Sequence, residues 1–264
     1  MKQFKKFAIP YFVWLIILVV VPLLIMFILT FLSGNGMNLK TAVASVDSYK
    51  RLAEVAIYKS LWNSLVVAFF TVVFCILLGY PVAYIISFSK VKNKMLFLLL
   101  LILPMWCNSM LRIISWYKLF QSDIFAGAEI LGSYPAVIFV TVTTYLPFMI
   151  FPIYTVLEKL DRSIIEASHD LGVGNIKTFL KVTLPLSMGG VSSGVIMVFL
   201  PAATGFAISA TIGQGKISLI GNLLQSVFEK NNYNYGSLLS IMVSIAIILC
   251  ILLFRKIQRK NGEK

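Results

Sequence analysis

Six stretches of this chain are apolar over the length a bilayer demands, and that leaves few folds open to it. They cover roughly residues 8–32, 61–88, 95–120, 135–157, 186–208 and 236–254. A hydrocarbon core about 30 Å thick takes about 20 apolar residues of helix. Inside it every backbone N–H and C=O must find its partner within the protein, so each run is expected to be helical. Only 12% of residues are charged and 59% are apolar, against about 25% charged in soluble domains. The expected fold is all-α: a polytopic membrane protein with six transmembrane helices. Residues 1–264 are read as a single transmembrane domain, with one polar segment, 158–188, inside it. The first run is too long for a signal-peptide core and no A-x-A site follows it, so it is read as an uncleaved span. Little sequence remains for an ATP-binding domain, and no G-x-x-x-x-G-K-[ST] loop occurs. There is no strong internal repeat and no low-complexity tract.

The net charge of +13 would suit a nucleic-acid binder, but its distribution does not. Lys and Arg lie in short runs beside apolar spans, where they set topology and meet anionic headgroups. With six spans, one side of the membrane receives both termini, the 89–94 loop and the 158–185 segment. That side carries 15 of the 23 Lys and Arg. The positive-inside rule then makes it the cytoplasm, and the bilayer, not nucleic acid, is the expected partner of the basic runs. Cys75, Cys107 and Cys250 all fall in apolar spans without disulfide or metal-ligand spacing and read as small core residues. A single histidine, His169, argues against a His-based metal site.

Within the third span Pro104, Asn108 and Arg112 recur every four residues, which on a straight helix puts them on one slowly drifting face. Asn108 in lipid would be costly, so that face should look inward. Arg112, nearer the outer end, has the reach to snorkel. Two readings stand: a face lining a translocation path, or a kinked helix whose Asn108 bonds a neighbour. No Asp or Glu lies inside any span. A cation path in this chain would therefore rest on carbonyls, amides and aromatic faces, for which Trp106, Trp116, Tyr117 and Tyr145 are candidates. The alternative for each is an interfacial or core aromatic. In the fifth span Gly190 and Gly194 form a G-x-x-x-G pair suited to close helix packing. Pro201 with Gly205 would loosen the same helix.

The polar segment from 163 to 185 is read as a helix–turn–helix. Ser163 and Glu166 have capping-box spacing. Ile164, Ile165, Ala167, Ser168 and Leu171 give one apolar side, and Gly172 stands where a left-handed helix end is wanted. Asn175 is placed to cap a second helix with Ile176, Phe179, Leu180 and Val182 as its stripe, and Pro185 to open the next span. These apolar runs are too short to insert. They need a groove on another protein, or the bilayer interface, to cover them.

The order Glu166-Ala167-Ser168, then Gly172, then Val182, Leu184 and Pro185 resembles the EAA loop of ABC-importer permeases, E-A-A, three residues, G, nine residues, I-x-L-P. Ser168 replaces the second alanine and Val182 the isoleucine. Further stretches are similar to the B-type permease subunits of bacterial spermidine/putrescine importers: Leu78–Ala83 (LGYPVA), Leu103–Arg112 (LPMWCNSMLR), Leu146–Met149 (LPFM), Leu157–Asp161 (LEKLD), Leu200–Ala202 (LPA) and Leu219–Asn222 (LIGN). The likeness runs from the second span to the end of the fifth and is weaker at both ends. It implies a type I (MetI-like) importer permease fold in the bacterial cytoplasmic membrane, with no catalysis and no cofactor in this chain. ATP and Mg would be used by a separate ATPase dimer. A second, C-type permease would pair with the chain and an extracytoplasmic polyamine-binding protein would deliver substrate. Glu166, Ala167, Ser168, Leu171, Gly172, Leu184 and Pro185 would then belong to the ATPase-coupling loop. An importer for another small solute would share that loop. An ion-coupled secondary transporter would need no ATPase, but usually carries intramembrane acids, which these spans lack.

Overall fold

The computed structural model describes residues 2–33, 43–45, 47–89, 92–125 and 129–262, with residues 2–9, 33, 44, 47, 53 and 253–262 as backbone only. In chain order the helices are α1 (Lys2–Leu29), α2 (Asp47–Lys50), α3 (Val55–Phe88), α4 (Lys94–Trp106), α5 (Ser109–Phe120), α6 (Tyr134–Glu158), α7 (Arg162–Asp170), α8 (Asn175–Thr178), α9 (Leu184–Thr204), α10 (Ala207–Ile212), α11 (Ile220–Glu229) and α12 (Tyr233–Gly262). Among the described residues five helical stretches are long and apolar enough to cross a membrane, and α4 with α5 make a sixth if that bent pair is one span. Lys2, Lys5, Lys6 and Lys90, and the tail residues Arg255, Lys256, Arg259 and Lys260, lie outside the described side chains.

Three expected elements take a different form. The third span is not one helix. It breaks after Trp106, and α5 leaves α4 at 84°. Pro104 sits inside α4, so the proline is not the break itself. Asn108 is: its backbone is extended and its side chain accepts the Met110 N–H at 2.8 Å, as an N-cap does. Pro104 and Arg112 therefore do not share a straight helical face. The break also exposes Cys107 rather than burying it, while Cys75 is buried and Cys250 half-buried. In the fifth span, α8 and α9 do not meet at a boundary by Pro185. They are one helical run, Asn175–Thr204, joined by a π turn over Phe179–Thr183. Pro185 has no N–H for the Lys181 carbonyl, and its ring crowds that group. A wider turn, in which the Leu184 N–H reaches back to the Phe179 carbonyl, lets the helical run continue past the proline. The same run ends at Thr204, where Gly205 turns extended, and α10 follows as a separate element. The segment between the fifth and sixth spans, expected as loop, holds α11.

The chain forms two compact units, Met1–Tyr58 with Leu223–Leu252 and Lys59–Asn222 with Leu253–Lys264. In the first, a two-residue antiparallel ladder pairs Leu32 with Ala44 and Ser33 with Val43. Asn234 donates to the Leu29 carbonyl at 3.0 Å and the Leu32 carbonyl at 2.8 Å, satisfying the end of α1. The Arg51 guanidinium lies 4.4 Å from the Tyr235 ring centre, and the Tyr235 hydroxyl donates to Glu54 at 3.3 Å.

The second unit is built on α6. Ser133 caps it, accepting the Ala136 N–H at 3.4 Å, with Pro135 in the first turn where a missing N–H costs nothing. One core cluster sets Met149, Ile150, Ile153 and Leu157 of α6 against Cys75 and Ala83 of α3 and Val191 and Val198 of α9. A second gathers Val67, Ile113, Val137, Val140, Ile212 and Leu219. The expected glycine pair lies on the α6–α9 seam. A Cβ on Gly190 would stand 2.8 Å from the Pro152 carbonyl oxygen, and one on Gly194 would stand 2.6 Å from Met149 Sδ. Backbone cannot move aside as a side-chain tip can, so Gly190→Leu is expected to lower stability by about 1–3 kcal/mol. Thermal unfolding of the purified protein in detergent reads this, and an unchanged midpoint would show that the seam is slack.

Candidate functional site

The segment after α6 folds as the expected helix–turn–helix, with its caps displaced. Asp161, not Ser163, is the N-cap of α7. Its carboxylate accepts the Ser163 N–H at 3.0 Å, and this bond holds the carboxyl below the usual carboxylate range. An Asp at the N-cap also gains from the helix dipole, and it lies closer to the end of α6 than the serine does. Glu166 accordingly does not reach back to Ser163. It is exposed and makes no hydrogen bond or ion pair among the described residues. Gly174 occupies the N-cap of α8 with no side-chain bond, and Asn175 is the first helical residue.

Gly172 behaves as its sequence position suggests. Its φ is +76°, in the region that costs a side chain most. Its N–H donates to the His169 carbonyl at 2.8 Å, and the Val173 N–H to the Ser168 carbonyl at 3.1 Å. This pair of bonds is the Schellman arrangement for ending a helix. Ser168 and Thr178 then join the two helices through their hydroxyls at 2.9 Å, both residues buried. A serine in place of alanine is thus matched by a polar partner ten residues on. Sequence reasoning missed that bond, although two hydroxyl residues facing across a tight turn were its visible signal.

The expected apolar side splits in two. Phe179 turns inward and packs edge-on to Tyr80 and Tyr84 at 5.6 and 5.5 Å. Leu184 packs into the α6 core cluster. Leu171 is 83% exposed and Ile176 76%, with Ile164 and Leu180 also exposed. Leucine and isoleucine at such exposure, beside Glu166 and Ala167 on a short folded element, form a surface shaped to be covered. Pro185 is exposed at the end of the π turn.

The candidate path residues of the third span do not form one surface. Trp106 ends α4 and is 83% exposed. Asn108 is spent on capping α5. Arg112 does not extend away from the break. Its Nη1 donates back across it to the Pro104 carbonyl at 3.1 Å, tying α5 to α4. Trp116 sits edge-on to Phe139 at 4.9 Å and beside Phe120 at 5.8 Å. The Tyr117 hydroxyl accepts from Gln121 at 2.8 Å. Both face the second core cluster. Tyr145 lines a cavity of about 180 Å³ with Ser109, Thr141, Thr144, Phe206 and Leu219, a wall that includes none of the other five. Arg112 lies within electrostatic reach of Tyr145. The hydroxyls of Thr141 and Thr144 are already donated to the Val137 and Val140 carbonyls, at 2.6 and 2.7 Å. The cavity meets them as acceptors.

Comparison with known proteins bears on this geometry. The family of binding-protein-dependent transport system inner membrane components matches residues 6–261. The chain is 33% identical to the spermidine/putrescine transport system permease protein PotB of Haemophilus influenzae, over 100% of this chain and 97% of that protein. It is 32% identical to PotB of Escherichia coli, over 95% and 96%. Among solved structures, it superposes with a TM-score of 0.77 on a chain of the bacterial alginate ABC transporter in complex with alginate pentasaccharide-bound periplasmic protein, covering 99% of this chain and 96% of that one at 11% identity. It superposes at 0.57 on a chain of the inward-facing MetNI methionine ABC transporter, covering 80% and 98% at 14% identity. At such identities these two structures speak for the fold, which is the all-α type I importer permease fold.

Proposed function

We infer the role of this chain from one premise: it belongs to the family of binding-protein-dependent transport system inner membrane components. It is the membrane permease subunit of an ATP-driven importer for polyamines, spermidine or putrescine. The supporting observation is whole-length likeness to two PotB proteins of that named specificity, joined to a folded helix–turn–helix whose apolar residues Leu171 and Ile176 are left uncovered by the described residues. That element is read as the coupling loop. Glu166, Ala167, Leu171 and Gly172 present it to an ATPase groove, while Ser168, Leu184 and Pro185 hold its shape. The chain is a multi-pass protein of the bacterial cytoplasmic membrane with both termini and the loop in the cytoplasm. Its partners are a second, C-type permease, an ATPase dimer, and an extracytoplasmic polyamine-binding protein. ATP and Mg are used by the ATPase, and this chain performs no covalent chemistry.

Mechanism follows from the parts. Closing of the ATPase dimer moves the seated helix–turn–helix, and the permease pair alternates the opening of its cavity. Tyr145, with Arg112 in reach, belongs to the wall that changes. Trp106 and Asn108 border the bend, and Trp116 and Tyr117 support it from the core side. The test is ATP hydrolysis in liposomes holding this chain with an ATPase, a C-type permease and a polyamine-binding protein. Spermidine or putrescine should stimulate hydrolysis and accumulate inside. Hydrolysis indifferent to both, yet raised by another solute, would keep the importer and remove the polyamine.

A further inference from the structure

We propose that the carbonyl of Ser87 is a latch, and that Arg162 and Lys94 are the positioning residues through which movement of α7 reaches the membrane bend. Ser87 lies one residue before the end of α3, among the four carbonyls that a helix leaves without an internal partner. Two cations from different elements fill that need. Lys94 Nζ donates to the Ser87 oxygen at 2.5 Å and Arg162 Nη2 to the same oxygen at 3.3 Å. Lys94 is the first residue of α4, and Arg162 is the first residue of α7. Glu158, the last residue of α6, meets Lys94 at 3.4 Å, so the two cations are not left to repel each other unopposed. The Arg162 guanidinium also lies 5.9 Å from the Phe88 ring centre. Three helix ends, those of α3, α4 and α7, thus meet at one oxygen, and the end of α6 joins them through Lys94.

A helix C-terminus attracts cations through its dipole, but a solvent-facing end needs only one and takes it from any direction. Here the Lys94 side chain is 17% exposed and Ser87 is buried, so the Lys94 contact is largely desolvated, while Arg162 reaches the same oxygen from the exposed start of α7. What it joins gives it a use. α7 carries the exposed surface of the coupling loop. α4 runs thirteen residues from Lys94 to the 84° bend, where Arg112 reaches back to the Pro104 carbonyl and Ser109, the first residue of α5, lines the cavity at Tyr145. If α7 shifts, Arg162 releases or drags the Ser87 oxygen, Lys94 must re-pair, and α4 moves as a rod against its bend.

This inference rests on the reading of α7 as the ATPase-coupling element, and its test separates the two. In the reconstituted complex, polyamine uptake per ATP hydrolysed is measured for Arg162→Leu, Lys94→Leu and the double variant, each first checked for co-purification with the ATPase. Each single change should lower uptake per ATP roughly fivefold or more. The double change should be no worse than either alone, because both remove one device. Arg162→Lys should recover most of the loss. Uptake per ATP that is unchanged in the single variants, or effects that multiply in the double variant, would overturn the latch while wild-type coupling leaves the importer reading intact. A wild-type complex that hydrolyses ATP without response to the binding protein would remove both. Should Arg162→Leu fail to assemble, Lys94→Leu against Lys94→Arg carries the same comparison.

Discussion

Glu166→Lys is expected to abolish polyamine-stimulated ATP hydrolysis while the permease stays folded. The separation of those two outcomes comes from the local geometry. The Glu166 carboxylate is exposed and bonds nothing within the described chain, since Asp161 has taken the capping role. Its removal therefore leaves α7 intact, and thermal unfolding of the isolated permease should not shift. Against a docked partner the same change is severe. Breaking one member of a buried, hydrogen-bonded charge pair costs about 2–5 kcal/mol, or about 30-fold to several thousand-fold in affinity. A lysine adds repulsion wherever a carboxylate was received. Glu166→Gln, which keeps the shape, should fall between. The checks are co-purification with the ATPase and hydrolysis in liposomes. A Glu166→Lys complex that assembles and responds to spermidine normally would mean that the acidic residue is not the contact, and that docking rests on Leu171 and Ile176.

Much of this was legible in the residues, and where it was not the causes are specific. Gly172 could be placed because a positive φ is a local property of backbone sterics, visible from one residue and its neighbours. The glycine pair on α9 was legible for a similar reason: a missing Cβ has few uses inside an apolar span other than close approach. The caps were displaced because Asp161 and Ser163 compete for one helix end, and the outcome depends on where α6 stops. The third span failed for a different reason. Spacing of four residues reads as a face only if the helix is straight, and Asn108 ends one helix axis and starts another. Pro185 was legible in part: it stands in the first turn of α9, but it marks no break in the run. A proline marks a boundary in a regular α-helix, but a π turn lets the helix continue past it. The Ser87 cluster had no sequence signal at all, since Lys94 and Arg162 are 68 positions apart and meet at a backbone atom.

Asn222→Leu is expected to cost about 1–3 kcal/mol and to end transport, although Asn222 was singled out in the sequence only as the end of a matching stretch. Its amide holds the turn between α10 and α11 from inside. Its Oδ1 accepts from the Ser209 hydroxyl and, at 3.0 Å, from the Leu219 N–H, while its Nδ2 donates to the Phe206 carbonyl at 3.1 Å. Leucine keeps nearly the same volume, so no cavity term enters. It leaves the Leu219 N–H short of an acceptor, at about 1–3 kcal/mol, while the Ser209 hydroxyl keeps the Phe206 carbonyl, to which it also donates at 3.0 Å. Gly221 leaves no slack nearby, because a Cβ there would overlap the Thr204 carbonyl. The residues freed by the change, Phe206 and Leu219, are walls of the Tyr145 cavity, so the loss should appear in uptake before it appears in expression. Asn222→Asp separates hydrogen bonding from charge. It keeps both acceptor bonds, but turns a carboxylate toward the Phe206 carbonyl, and should unfold at a temperature between those of wild type and Asn222→Leu. If Asn222→Leu unfolds with the wild-type midpoint and still imports, the turn is held by its apolar contacts with Ile212 and Leu219 and the amide is incidental to the cavity.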